Sequence, residues 1–192
     1  FITLGTGDSV GQSNDDTLYI KPYTVLITDA NGGPVENAQV TLKAVPPSSL
    51  GVRPAFEKGE YEFDLASGRW EKNEDKGTKC FNEDQNRNGR LEPGEDRNGN
   101  GELEPGNLAV LSPEQVQTDD TGFAAFNLLY LQNTATWVFL ELTARAEVSG
   151  TEASRTINIG LPGAVEDFND EENPPPFVVS PFGTSGQCTN LL

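Results

Sequence analysis

Apolar positions along this chain recur in short alternating or continuous runs separated by Gly, Asn, Asp and Pro, with little sign of a helical period. The pattern predicts an all-β fold. Thr17 to Ile27 is rich in β-branched and aromatic residues and reads as a strand, Asp29-Ala30-Asn31-Gly32-Gly33-Pro34 as a turn, and Ala38 to Val45 as the next strand. Tyr61, Phe63 and Leu65 alternate before Ala66-Ser67-Gly68, which predicts a hairpin with a three-residue loop returning toward Trp70. Thr118-Asp119-Asp120-Thr121-Gly122 is a further turn, followed by the strongly apolar strand Phe123 to Leu131. From Trp137 to Ala146 the side chains sort by face, with Val138, Leu140, Leu142, Ala144 and Ala146 on one side and Glu141, Thr143 and Arg145 on the other. A turn at Val148 to Thr151, around Ser149-Gly150, leads to a final strand, Ala153 to Leu161.

Segments 1–45 and 111–161 together approach the roughly 100 residues of an immunoglobulin-type sandwich. The expectation is therefore an immunoglobulin-like β-sandwich over residues 1–161 that accommodates an insertion at 46–110. Residues 162–192 carry an acidic patch from Glu166 to Glu172, then Pro174-Pro175-Pro176, and read as a tail extended over the surface. Trp70, Trp137, Tyr130 and the Phe residues have the spacing of core side chains more than of a sugar-stacking platform.

Composition narrows the function. Thirteen Lys and Arg face thirty Asp and Glu, a net charge of −17 that repels phosphate backbones and anionic headgroups, so neither nucleic acid nor an acidic membrane surface is an expected partner. No apolar run approaches the roughly 20 residues of a membrane span, and no membrane insertion is expected of this fragment. The missing initiator Met reads as a chain trimmed from a longer precursor. With no His, neither a Ser-His-Asp nor a Cys-His arrangement is possible, and no enzymatic activity is expected. Cys80 and Cys188 lie too far apart in sequence for a Cys-x-x-Cys motif, which leaves a disulfide, favoured in an oxidising compartment, or two free thiols.

The chemistry concentrates in residues 84–107. Asp84 to Glu95 and Asp96 to Asn107 align without a gap at a period of twelve. Against an EF-hand loop, the first copy puts Asp84, Asn86 and Asn88 at positions one, three and five and Gly89 at the sharp turn. The Arg90 carbonyl follows at seven, Glu92 at nine and Glu95 at the bidentate position twelve. The second copy supplies Asp96, Asn98, Asn100, Gly101, the Glu102 carbonyl and Glu104, with Asn107 where a Glu would stand. It is expected to be weaker, unless a carboxylate from elsewhere or water completes the shell. Turn chemistry explains the Asn and Gly content but not the duplication, the apolar residue at eight or the Glu at twelve. The expected cofactor is Ca²⁺, one or two ions, with Mg²⁺ disfavoured by the number of oxygens offered.

Pro and Gly at positions ten and eleven stop an exiting helix, so the tandem resembles the helix-less calcium loops of dockerin-like or thrombospondin type 3-like repeats. The run Val25 to Pro34, the strand Ala38 to Val45 and the run Thr118 to Phe126 resemble bacterial immunoglobulin-like repeats of the invasin and intimin type. That resemblance covers about half the chain. It implies an extracytoplasmic location (periplasmic, cell surface or secreted) and a role in adhesion or envelope assembly, with a protein or glycan at the cell surface as partner. A carbohydrate-binding module of a secreted enzyme and a passive structural spacer are the alternatives.

Overall fold

The computed structural model describes residues 1–48, 53–148 and 150–189. Among these lie thirteen strands: β1 (Ile2–Thr6), β2 (Gly11–Gln12), β3 (Leu18–Ile27), β4 (Gln39–Val45), β5 (Phe56–Lys58), β6 (Tyr61–Asp64), β7 (Arg69–Lys72), β8 (Thr78–Cys80), β9 (Ala109–Ser112), β10 (Gln115–Gln117), β11 (Phe123–Leu131), β12 (Phe139–Val148) and β13 (Thr151–Gly160). Helical structure is confined to two 3₁₀ turns, Gln132–Thr134 and Val165–Phe168. The fold is all-β, and no helix among the described residues is long and apolar enough to cross a membrane. The turn expected around Ser149-Gly150 falls partly on Ser149, outside the described residues.

The strands divide between two compact units. The first consists of Phe1–Val45, Ala109–Leu129 and Glu141–Ile159. It holds one sheet of order β1-β3-β11-β9, with β2 also on β3, and a second of order β10-β4-β12-β13. Period-two patterning explains their one-sided burial: Tyr19, Lys21, Tyr23, Val25 and Ile27 of β3, and Val40, Leu42 and Ala44 of β4, are buried while their neighbours face out. Lys21 is tolerated on the buried face because its ammonium donates to the carbonyls of Gly7 and Ser9, in the gap between β1 and β2.

The turn regions around Ile27 to Ala38 and around Thr118 to Gly122 meet in this unit. Ile27 N–H donates to the Gly122 carbonyl at 2.9 Å. The buried Thr118 hydroxyl donates to the Val35 carbonyl at 2.7 Å and accepts the Ala38 N–H at 2.9 Å. Gly122 has φ +79°, and a Cβ there would stand 2.7 Å from the Ile27 carbonyl oxygen, so only glycine fits the contact.

The second unit consists of Pro46–Leu108, Tyr130–Leu140 and Gly160–Leu192. The insertion, the tail and Tyr130–Leu140 share a core of their own, built on Ala55, Phe56, Trp137, Val138, Leu161 and Phe177. Trp137 and Val138 are adjacent yet both buried, which a strand with one face in solvent cannot arrange; the strand expected from Trp137 therefore begins at Phe139. The hairpin β6–β7 forms as expected, but Asp64 pairs with Arg69, which leaves four loop residues. Leu65 is 80% exposed, because its place in the loop lies beyond the pairing.

The tail is not a surface strap. Phe177 is fully buried, its carbonyl accepts the Trp137 indole N–H at 2.7 Å, and its ring meets Tyr61 at 5.6 Å. Farther on, Ser180 N–H donates to the Gly59 carbonyl and Gly59 N–H to that of Gly183, both at 2.9 Å. Cys80 at the end of β8 is bonded to Cys188, which resolves the alternative between a bridge and two thiols. β5 pairs with β8 in the register Phe56–Cys80, Glu57–Lys79, Lys58–Thr78, and this ribbon anchors the chain just before the repeated loops.

Candidate metal centre

Phe81, Asn82 and Glu83 join β8 to the first loop, and the two copies then fold alike. In the first, Asp84 accepts the N–H of Asn88 on Oδ1 at 3.1 Å and that of Gly89 on Oδ2 at 2.8 Å. Asn86 Oδ1 accepts the same Asn88 N–H at 3.0 Å, and Asn88 Oδ1 accepts that of Arg90 at 2.7 Å. In the second, Asp96 accepts the N–H groups of Asn100 at 3.1 Å and Gly101 at 2.9 Å, Asn98 accepts that of Asn100 at 3.0 Å, and Asn100 accepts that of Glu102 at 2.8 Å. Short Asp and Asn side chains that reach N–H groups two to five residues ahead wind the backbone into this coil. Position six is left-handed in both, with φ +71° at Gly89 and +82° at Gly101; a Cβ would meet nothing within 4 Å, so glycine is needed for its dihedral freedom and not for space.

The consequence is convergence of oxygen. In each loop the side-chain oxygens of positions one and three lie about 3 Å from one amide nitrogen, that of position five, and therefore close to each other. At position nine, Glu92 accepts from the Asn86 amide at 2.6 Å, and Glu104 accepts from Asn98 at 2.9 Å and Asn100 at 3.1 Å. Burial pushes the Glu104 carboxyl above the usual range, the charge of Glu83 adds to this, and the positive charge of Lys58 and the Asn amides oppose it.

Closure differs between the copies. Glu95, 4% exposed, accepts the N–H of Gln85 on Oε1 at 3.0 Å and that of Glu92 on Oε2 at 3.1 Å, while its own N–H donates to the Glu92 carbonyl at 3.1 Å. Asn107 is exposed and its side chain makes no hydrogen bond among the described residues. The corresponding bonds of the second loop go to Glu83, 1% exposed. Glu83 Oε1 accepts the Arg97 N–H at 3.0 Å, Oε2 accepts the Glu104 N–H at 3.0 Å, and Glu83 N–H donates to the Glu104 carbonyl at 2.8 Å. Sequence reasoning missed Glu83 because it precedes the first loop. Its signal was the repeat itself, since Glu83 stands one period before Glu95.

Among the described residues no group of three or more Asp, Glu, Cys or His side chains is arranged to hold a metal ion by itself. The converging oxygens come from Asp and Asn together, and a mixed set of carboxylate, amide and backbone carbonyl oxygens suits Ca²⁺ among the common ions. Of the aromatic residues weighed as a stacking platform, Trp137 and Tyr130 are 1% exposed, and the Trp70 indole N–H donates to the Asp170 carbonyl at 2.7 Å. Comparison with protein families, with curated proteins and with solved structures finds no match.

Proposed function

We propose that this chain is a calcium-stabilised module of a secreted or cell-surface bacterial protein, serving adhesion or envelope assembly, with its first unit an immunoglobulin-like sandwich. The observation that carries the calcium reading is the repeated hydrogen-bond pattern of the two loops, which gathers oxygens from positions one and three in each. In the first loop Asp84, Asn86, Asn88, the Arg90 carbonyl, Glu92 and Glu95 would hold the ion. Bound Ca²⁺ would supply fixed positive charge to a segment with little apolar surface to offset its ordering entropy. The sandwich reading rests on two sheets that are each apolar on one face, and on the contacts that join Ile27 to Gly122 and Val35 to Thr118. Extracytoplasmic placement is supported by the Cys80–Cys188 disulfide.

Calorimetric titration of the chelator-stripped protein tests the metal. Ca²⁺ should bind within the range of about 10⁻⁷ to 10⁻³ M spanned by sensor and extracellular sites. Glu95→Gln should weaken the first loop by at least about tenfold, or roughly 1.4 kcal/mol. Absence of binding by the wild-type chain ends the reading, and unchanged affinity in Glu95→Gln removes Glu95 from the ligand set.

A further inference from the structure

We propose that Glu83 is the closing ligand of the second loop and that the two loops are one cross-closed unit binding two calcium ions cooperatively. The proposal rests on the calcium reading above and specifies how its two sites are wired. Three hydrogen bonds define the closing residue of the first loop: its carboxylate takes the N–H groups of positions two and nine, and its own N–H goes to the carbonyl of position nine. Glu83 reproduces all three on the second loop, toward Arg97 and Glu104, while Asn107 makes none of them. The match includes backbone as well as side chain, so Glu83 occupies the twelfth place of that loop although it lies upstream of it.

Charge gives an independent reason to expect cations there. Glu83 and Glu95 are 1% and 4% exposed, and neither takes part in the ion pairs Lys72–Glu57 and Lys76–Glu60 found among the described residues. Each carboxylate oxygen accepts one amide N–H, half of what its lone pairs can take. Burying a carboxylate is unfavourable unless its charge is offset, and a bound divalent ion would supply positive charge beside Glu83 and Glu95.

Cooperativity follows from the order of residues. Glu83, closing the second loop, is bonded directly to Asp84, the first ligand of the first. Glu95, closing the first loop, is bonded directly to Asp96, the first ligand of the second. Adjacent Cα atoms are 3.8 Å apart, so an ion that fixes Asp84 and Glu95 also fixes the backbone from which Glu83 and Asp96 extend. The coupling is reciprocal, and a factor of at least about five per site is expected.

Native mass spectrometry and calorimetry on the full chain test the wiring, with Ca²⁺ alone as titrant. The wild type should take two ions with a Hill coefficient above one. Glu83→Gln should bind the second ion at least about tenfold more weakly, and Asn107→Ala should match the wild type. Since Glu83 is buried and its replacement risks misfolding, Asp96→Asn provides a second route through a partly exposed residue. If the loops are cross-closed, it weakens the ion left in the first loop by at least about fivefold, whereas independent loops leave that ion untouched. A wild-type chain that binds no calcium overturns the calcium reading itself. Two ions bound with wild-type affinities in Glu83→Gln, or loss of the second ion in Asn107→Ala, overturns the closure by Glu83, and an unaffected first loop in Asp96→Asn overturns the cooperativity.

Discussion

Replacing the Cys80–Cys188 disulfide by alanines perturbs the second unit in a way whose size can be worked out. The cysteines are 108 positions apart. If the whole chain unfolds, the lost constraint is that of a closed loop of about 109 residues, worth about 4.8 kcal/mol at 25 °C on the chain-entropy relation. If the first unit stays folded while the second opens, about 70 flexible residues remain in the loop and the figure falls only to about 4.4 kcal/mol, because the dependence is logarithmic. Between these, a chain of this length should lose roughly 10–20 °C in Tm. The assay is thermal unfolding followed by near-ultraviolet circular dichroism, where Trp137 reports on the second unit, with both proteins in the same excess of Ca²⁺ so that metal linkage is held constant. The urea m-value should rise in Cys80→Ala/Cys188→Ala, as the unfolded chain expands. A Tm loss below about 3 °C with an unchanged m-value would refute the reasoning, since it would mean that the bridge constrains nothing the fold does not already hold.

Two further outcomes are expected. At Gly77, φ is +99° and a Cβ would stand 2.0 Å from the Lys58 carbonyl oxygen, so Gly77→Ala must displace the β5–β8 ribbon; urea titration should register a loss of at least about 2 kcal/mol, and wild-type stability would refute the close approach. Asp119 is held below the usual carboxylate range by the Thr121 hydroxyl and then by backbone N–H donation. Its stabilisation is therefore present above the unfolded-state value and lost as pH falls through the lower folded value, and Asp119→Asn should flatten the stability profile below about pH 3.9, where an unaltered slope would exclude this group.

Long strands were legible because their pattern is redundant. Phe123 to Leu131 is a nine-residue, almost wholly apolar run that follows the turn at Thr118 to Gly122, and β11 occupies those same residues. β5, β8 and β10 have three residues each, too few for a period to declare itself. The second unit was illegible for a related reason. Its core includes single anchors in irregular chain, such as Ala55, Phe177 and Phe182, each set beside Pro, Gly or polar residues that read locally as loop. What makes them core is convergence from three separate segments, a property no local window contains.

The repeated loops divide in the same way. Their Asp and Asn side chains and the glycine at position six are local requirements of a tight oxygen-lined coil, so they stand in the sequence at fixed offsets. Closure is a different kind of requirement: it asks only that a carboxylate reach the N–H groups of positions two and nine, and says nothing of where in the chain that carboxylate lies. In the first loop Glu95 meets it from within the twelve-residue window, whereas in the second Glu83 meets it from upstream. A linear motif therefore finds one complete loop and one that looks defective. The repeat finds more, because a period of twelve run backward from Glu95 lands on Glu83, and run forward lands on Asn107. The terminal Asn need not then be a weakened ligand. In a cross-closed pair, two loops require two closing carboxylates, Glu83 and Glu95 are two, and a third at position 107 would add charge with no loop left to close.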